Sequence, residues 1–157
     1  MNLLFEQAQP DDIDQIYAFC RELVERYEDP EDISIPDALA WTRRKITKLI
    51  GEYVRVVSDG QTVAYYHFSP EEGKMELDDL HVLPEYRGRG IGTAIVQKCC
   101  SETELPVFLY VFTENKAAVS LYEKTGFRMI KQVGKTRCIM QREPGQCNSC
   151  DTKKETL

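Results

Sequence analysis

The sequence predicts an α+β fold: a central mixed, mostly antiparallel sheet flanked by helices. Three observations carry that prediction. Periodicity and turn residues give the element order β-α-α-β-β-β-α-β-α-β-β. Asp59-Gly60 separates two β-rich runs, a strong hairpin signal. The helical stretch between residues 82 and 107 is the right size for a crossover between neighbouring strands, which makes one pairing parallel.

The elements follow in order. "LLFEQAQ" (3–9) reads as a strand. Pro10 suits a first helical turn and Asp11 or Asp12 a cap. Ile13, Ile16, Tyr17, Cys20, Leu23, Val24 and Tyr27 then form one apolar stripe. A second helix starts near Pro36 and ends by Gly51, burying Leu39, Ile46, Leu49 and Ile50. Strands follow at 53–59, 61–68 and 74–82, the last two joined by a turn in "PEEG". A helix runs to about residue 102. "VFLYVF" (107–112) is a continuous apolar run, as expected of a strand covered on both faces. Asn115 can cap a short helix that Gly126 ends, and the runs around Gly134 form a last hairpin. One domain over 1–143 and a polar, disordered tail over 144–157 are expected.

Composition narrows the function. The chain is 42% hydrophobic and 29% charged, an ordinary globular balance, and its net charge of −6 argues against a nucleic-acid or anionic-membrane binder. No apolar run is long enough to span a bilayer, and the N-terminus lacks a basic start and apolar stretch. Six cysteines in such a domain read as free thiols, so a cytoplasmic protein is expected. Charge is uneven: residues 11–37 hold ten acids and two bases, residues 43–55 five bases and one acid. Both clusters read as solvated helix faces.

The chemistry is concentrated in "VLPEYRGRGIGTAIVQ" (82–97), with three glycines in five residues between a strand and a helix. Such a turn exposes backbone N–H groups, the helix start adds unpaired donors, and Arg87 and Arg89 add charge: a phosphate cradle. No P-loop string is present, and the dinucleotide fingerprint fails because its last glycine position is Thr93. The pattern R/Q-x-x-G-x-G/A is matched by Arg87, Gly90 and Gly92. With it, "LHVLPEYRGRGIG" and, downstream, "NKAAVSLYEKTGF" (115–127) resemble the two signature segments of the GNAT superfamily of N-acetyltransferases. The element order agrees over residues 2–142.

That resemblance implies transfer of an acetyl group from acetyl-CoA to a primary amine of a small molecule or peptide. It assigns the pyrophosphate to Arg87, Gly88, Arg89, Gly90, Ile91, Gly92 and Thr93. Pantetheine falls to the backbone of Leu80 and Val82, with an amide near Val82 polarising the thioester carbonyl. Asn115 caps its helix and, in the family reading, also touches the pantetheine arm. Tyr122, two helical turns on, is either the acid that protonates the departing thiolate or a core aromatic. Glu76 falls where histone-acetylating members carry a catalytic glutamate, and Asp78 shares its strand face. Asp79 reads as a solvated acid. His81 points to the other face unless a bulge intervenes, and amine activation through ordered water stays open.

Glu28, Asp29, Glu31 and Asp32, with Glu76 and Asp78, suggest an acidic pocket for a cationic amine, although acidic loops are commonly just solvated. Tyr65, Tyr66 and His67 either line that pocket or belong to the core. Cys147-x-x-Cys150 alone is a weak zinc motif, so no metal is expected. A homodimer stays open. Rival functions are a non-catalytic acyl-CoA-binding regulatory domain, which could dispense with Tyr122, and a nucleotide oxidoreductase, which would bind NAD.

Overall fold

The computed structural model describes residues 1–145; all of the expected tail (144–157) beyond Gly145, with the Cys147–Cys150 pair, lies outside the described residues. The strands are β1 (Leu4–Gln7), β2 (Tyr53–Ser58), β3 (Gln61–Glu71), β4 (Lys74–Val82), β5 (Val107–Phe112), β6 (Arg128–Val133) and β7 (Arg137–Arg142). The helices are α1 (Ile13–Tyr27), α2 (Ile35–Leu49), α3 (Ile91–Ser101) and α4 (Lys116–Lys124). The seven strands form one mixed sheet in the order β1-β2-β3-β4-β5-β7-β6. By its contacts the chain divides into two compact units, Met1–His67 with Asp79–Arg89, and Phe68–Asp78 with Gly90–Leu157.

In the first unit β1, β2 and the start of β3 pair antiparallel, in register from Leu4↔Val57 to Gln7↔Val54 and from Tyr53↔His67 to Ser58↔Gln61. Asp59 and Gly60 both take positive φ, 51° and 76°, the backbone a tight two-residue hairpin requires. Ile16 and Cys20 of α1, Ile46 of α2, Ala8, Tyr53 and Tyr65 form its core, with Ile13, Tyr17, Leu49, Ile50 and Leu83 packed around them. The chain enters α1 through a 3-10 turn at Pro10–Asp12, where the Asp12 carboxylate accepts from the Gln9 amide at 2.8 Å but does not cap α1 itself. α2 starts at Ile35, one residue before the expected Pro36, with the Ser34 hydroxyl accepting from the Asp37 amide. Tyr65, Tyr66 and His67 are all buried, so these aromatics are core.

In the second unit β3 runs past Pro70 to Glu71, and the turn is Glu72-Gly73 rather than the whole of "PEEG". The β2 ladder ends at His67, before Pro70 is reached. β4 and β5 pair in parallel at Met75↔Val107 and Glu76↔Phe108, while β5 pairs antiparallel with β7 along its whole length. The expectation that β5 is covered on both faces is corrected. Val107, Leu109 and Val111 are buried, but Tyr110 on the opposite face is 47% exposed. The run is continuously apolar because that second face carries aromatics.

Candidate active site

The glycine loop has the geometry its composition implies. Gly88 (φ 75°) and Gly90 (φ 82°) occupy the left-handed region, and a Cβ built on either meets no atom within 4 Å. Conformation rather than crowding therefore requires glycine, and residues 87–90 are exposed. Gly90 is the N-cap of α3 and has no side chain to cap it, and no acid stands in the first turn. The positive end of α3 is thus left unneutralised at Ile91, Gly92 and Thr93. Arg87 Nε donates to the Val82 carbonyl at 3.0 Å, its guanidinium lies over the Phe19 ring, and Arg89 lies over Tyr86. An uncapped, glycine-opened helix start preceded in the chain by two arginines suits a diphosphate-bearing ligand.

The loop is fed by an irregular strand. Asp79, in the middle of β4, has φ 50°, a conformation rare for a non-glycine residue and tolerated best by Asp and Asn. Before it alternation is regular, with Leu77 buried between half-buried Glu76 and Asp78. After it His81, only 1% exposed, is seated against Phe19 with Nε2 at 3.7 Å from Cys20 Sγ. Burial drives the His81 pKa down to about 3, so its ring is neutral, and its Nδ1 has no hydrogen-bond partner.

Asp79 is not the solvated acid expected. Its carboxylate accepts from the Tyr53 hydroxyl at 2.6 Å and the Lys45 ammonium at 3.3 Å, with the Lys45 and Asp79 side chains less than a fifth exposed. Burial alone would raise its pKa. The Lys45 charge and the Tyr53 hydrogen bond outweigh that and hold the carboxyl below its usual range.

In the second unit an open cavity of about 350 Å³ is lined by Glu71, Glu72, Lys74, Glu76, Phe108, Tyr110, Ile130, Ile139 and Gln141. Glu76 therefore faces a concave site, and Asp78 lies two residues along the same strand. Lys74 donates to Gln141 at 2.7 Å and lies over Phe108, while Arg137 lies over Tyr110. Asn115 does cap α4, accepting from the Ala118 amide at 3.4 Å. Tyr122 is buried against Phe127, and its carbonyl accepts from the Phe127 amide at 2.9 Å, which fixes the helix exit at Gly126. Glu28, Asp29, Glu31 and Asp32 belong to the first unit, and Glu76 and Asp78 to the second. No group of three or more metal-ligating residues occurs among the described residues.

A mixed seven-stranded sheet with an uncapped, glycine-opened helix after its fourth strand defines the architecture of GNAT-type acyltransferases. The chain belongs to the acetyltransferase (GNAT) family, whose model matches residues 12–127. Among curated proteins it is similar to the thialysine N-epsilon-acetyltransferase of Mus musculus, 37% identical over 76 residues, covering 43% of this chain and 42% of the mouse protein. The Bos taurus protein of the same name is 32% identical over 89 residues, covering 51% of this chain and 50% of its own. The matches thus span about half the length of these relatives. The fold is similar to that of the PaiA N-acetyltransferase from Thermoplasma acidophilum, solved with coenzyme A, at a TM-score of 0.70 and 19% identity over 91% of this chain and 99% of that one.

Nothing in the sequence marks Lys45 and Tyr53 as site residues, and Phe108, Tyr110 and Lys74 read from it only as strand. The signal for the kink was present in "LDDLH": two adjacent acids between Leu77 and Leu80 break the alternation of a half-buried strand.

Proposed function

We propose that this protein transfers the acetyl group of acetyl-CoA to a primary amine of a small molecule or peptide, by direct attack in a ternary complex. The observation that carries the reading is the uncapped α3 start behind Gly88 and Gly90, flanked by Arg87 and Arg89. In this reading the amides of residues 87–93 and the two guanidinium groups hold the pyrophosphate. The backbone of Leu80 and Val82 receives the pantetheine arm, and an amide near Val82 stabilises the oxyanion. Asn115 adds a contact to the arm beside its capping bond. The amine nitrogen attacks the thioester carbonyl carbon, the new C–N bond forms and the C–S bond breaks. Glu76, with Asp78 as its neighbour, takes the proton released by the amine, and Tyr122 gives its proton to the departing thiolate.

The cavity around Glu76 favours a cationic acceptor. Three carboxylates line it against one ammonium group, and its aromatic rings, Phe108 and Tyr110, each already hold a cation of this chain. The reading places the protein in the cytoplasm, acting without nucleic acid or membrane; among the described residues no helix is long and apolar enough to cross one.

Calorimetric titration with acetyl-CoA tests the cradle, with the double variant Arg87→Ala, Gly90→Ala as control. Micromolar binding lost in the variant is expected; no binding by the intact protein would end the acetyltransferase reading. Thiol release with polyamines, aminoglycosides, lysine peptides and thialysine then tests the acceptor. Preference for an anionic acceptor would overturn the cationic assignment, and binding without turnover of any amine would favour a regulatory acyl-CoA-binding domain.

A further inference from the structure

We infer that Asp79, Lys45 and Tyr53 form a clamp that holds the kink in β4, and that this clamp sets the backbone of Leu80–Val82 and the seat of Arg87 for acetyl-CoA. The inference rests on the reading above for its ligand but on separate residues for its evidence.

A mid-strand residue in the left-handed region persists only where its surroundings over-determine it. Here the surroundings come from two elements remote in sequence. Lys45 stands in the third turn of α2, and Tyr53, 1% exposed and stacked on His67, opens β2. Both donate to one carboxylate oxygen of Asp79, so the kinked residue is tied to helix and sheet together. A solvated acid would need neither partner.

What the kink controls follows along the chain. Two residues beyond it, His81 is buried against Phe19 and Cys20. Phe19 in turn carries the Arg87 guanidinium over its ring, at 5.3 Å, while Arg87 Nε bonds the Val82 carbonyl. The clamp, the inward histidine, the Phe19 ring and the first arginine of the loop are consecutive contacts within the first unit. Asp79 acts through this backbone rather than on a reacting atom, so it is a positioning residue. Its charge is already committed to Lys45, which makes it unfit as a base for the amine.

The test leaves the kinked residue itself intact. Lys45→Met and Tyr53→Phe each remove one donor without changing residue 79, and Lys45→Arg restores a cation. Acetyl-CoA affinity and the split between KM and kcat are measured beside amide hydrogen exchange at residues 80–82. Lys45→Met and Tyr53→Phe are expected to weaken acetyl-CoA about tenfold or more by misplacing the binding backbone. Most of that loss should fall on KM for acetyl-CoA, with faster exchange at 80–82, and Lys45→Arg should recover much of it. Wild-type affinity and exchange in both donor variants would overturn the clamp. Should the wild-type protein fail to bind acetyl-CoA, the function reading falls. The exchange data then decide the clamp alone: faster exchange in the variants supports it, unchanged exchange overturns it. Asp79→Gly adds a control, since glycine accepts the φ but supplies no carboxylate; affinity equal to wild type there would show that the φ suffices and the clamp does nothing.

Discussion

Glu76 and Asp79 lie three residues apart on one strand and have opposite surroundings. Glu76 lines an open cavity with aromatic walls and two further carboxylates. Asp79 is enclosed by a phenol and an ammonium that hold it ionised, on a backbone that bends to reach them. The difference separates two jobs that a sequence of acids cannot distinguish. A carboxylate that must exchange protons needs an approachable site and an adjustable pKa, whereas one that must hold geometry needs partners and a fixed charge. Beside them His81, which as an unperturbed imidazole would be a natural base, is buried and neutral.

The sharpest way to break this comparison is Glu76→Gln. Removing a general base is expected to lower kcat about a hundredfold while leaving acetyl-CoA affinity intact, and to remove the base's share of the acidic limb of the pH–rate profile. Stopped-flow thiol release across pH measures both. If Glu76→Gln keeps its rate and Asp78→Asn loses it, the base is Asp78. If neither changes, ordered water performs the step, and the open cavity serves binding only.

The second effect concerns the enclosed half of the strand and is read as stability. The His81 pKa falls from 6.5 to about 3 on folding because burial penalises the cation. Below pH 6.5 the unfolded chain takes up a proton that the folded chain refuses until about pH 3. Stability therefore falls with pH through that window, by at most about 1.4 kcal/mol per pH unit. Asp79, whose pKa is lowered, contributes stability present above its ordinary value of 3.8 and lost as pH falls below it. Urea midpoints from pH 7 to 4 should therefore drop more steeply for the wild type than for His81→Leu. Parallel curves would show that His81 is hydrated and that its enclosure is less complete than its contacts indicate.

How far these roles were legible differs along the chain, for physical reasons. The glycine loop was legible because positive φ and an unshielded helix start demand a residue type, and residue type is what a sequence records. Asn115 was legible as a cap for the same reason. The hairpin at Asp59-Gly60 follows the same rule. The Asp79 clamp was not, because its partners come from residues 45 and 53 and only folding brings them together. The exposed face of β5 was misread because Phe108 and Tyr110 are apolar in composition whether they face a core or a ligand. Periodicity reports hydrophobicity, and an aromatic binding wall satisfies it as well as a core does.

The smallest expected effect sharpens the open half of the comparison. Lys74 is the one cation lining the cavity; its ammonium lies over Phe108 and donates to Gln141. If the site takes a cationic amine, Lys74 is a competitor for the same ring and the same carboxylates. Lys74→Met keeps the length and apolar stem while removing the charge, so it vacates the ring and takes one positive charge away from Glu71, Glu72 and Glu76. A cation–π contact at a partly exposed site is worth about 0.5–1 kcal/mol, which corresponds to about a two- to fivefold lower KM for a diamine. For a neutral or anionic amine the same substitution removes an attraction and should leave KM unchanged or raise it. A rise in KM for the anion, with no fall for the cation, would mean that Lys74 is the anchor and the glutamates its support. The acceptor class would then have the opposite sign, while Glu76 would keep its place as base.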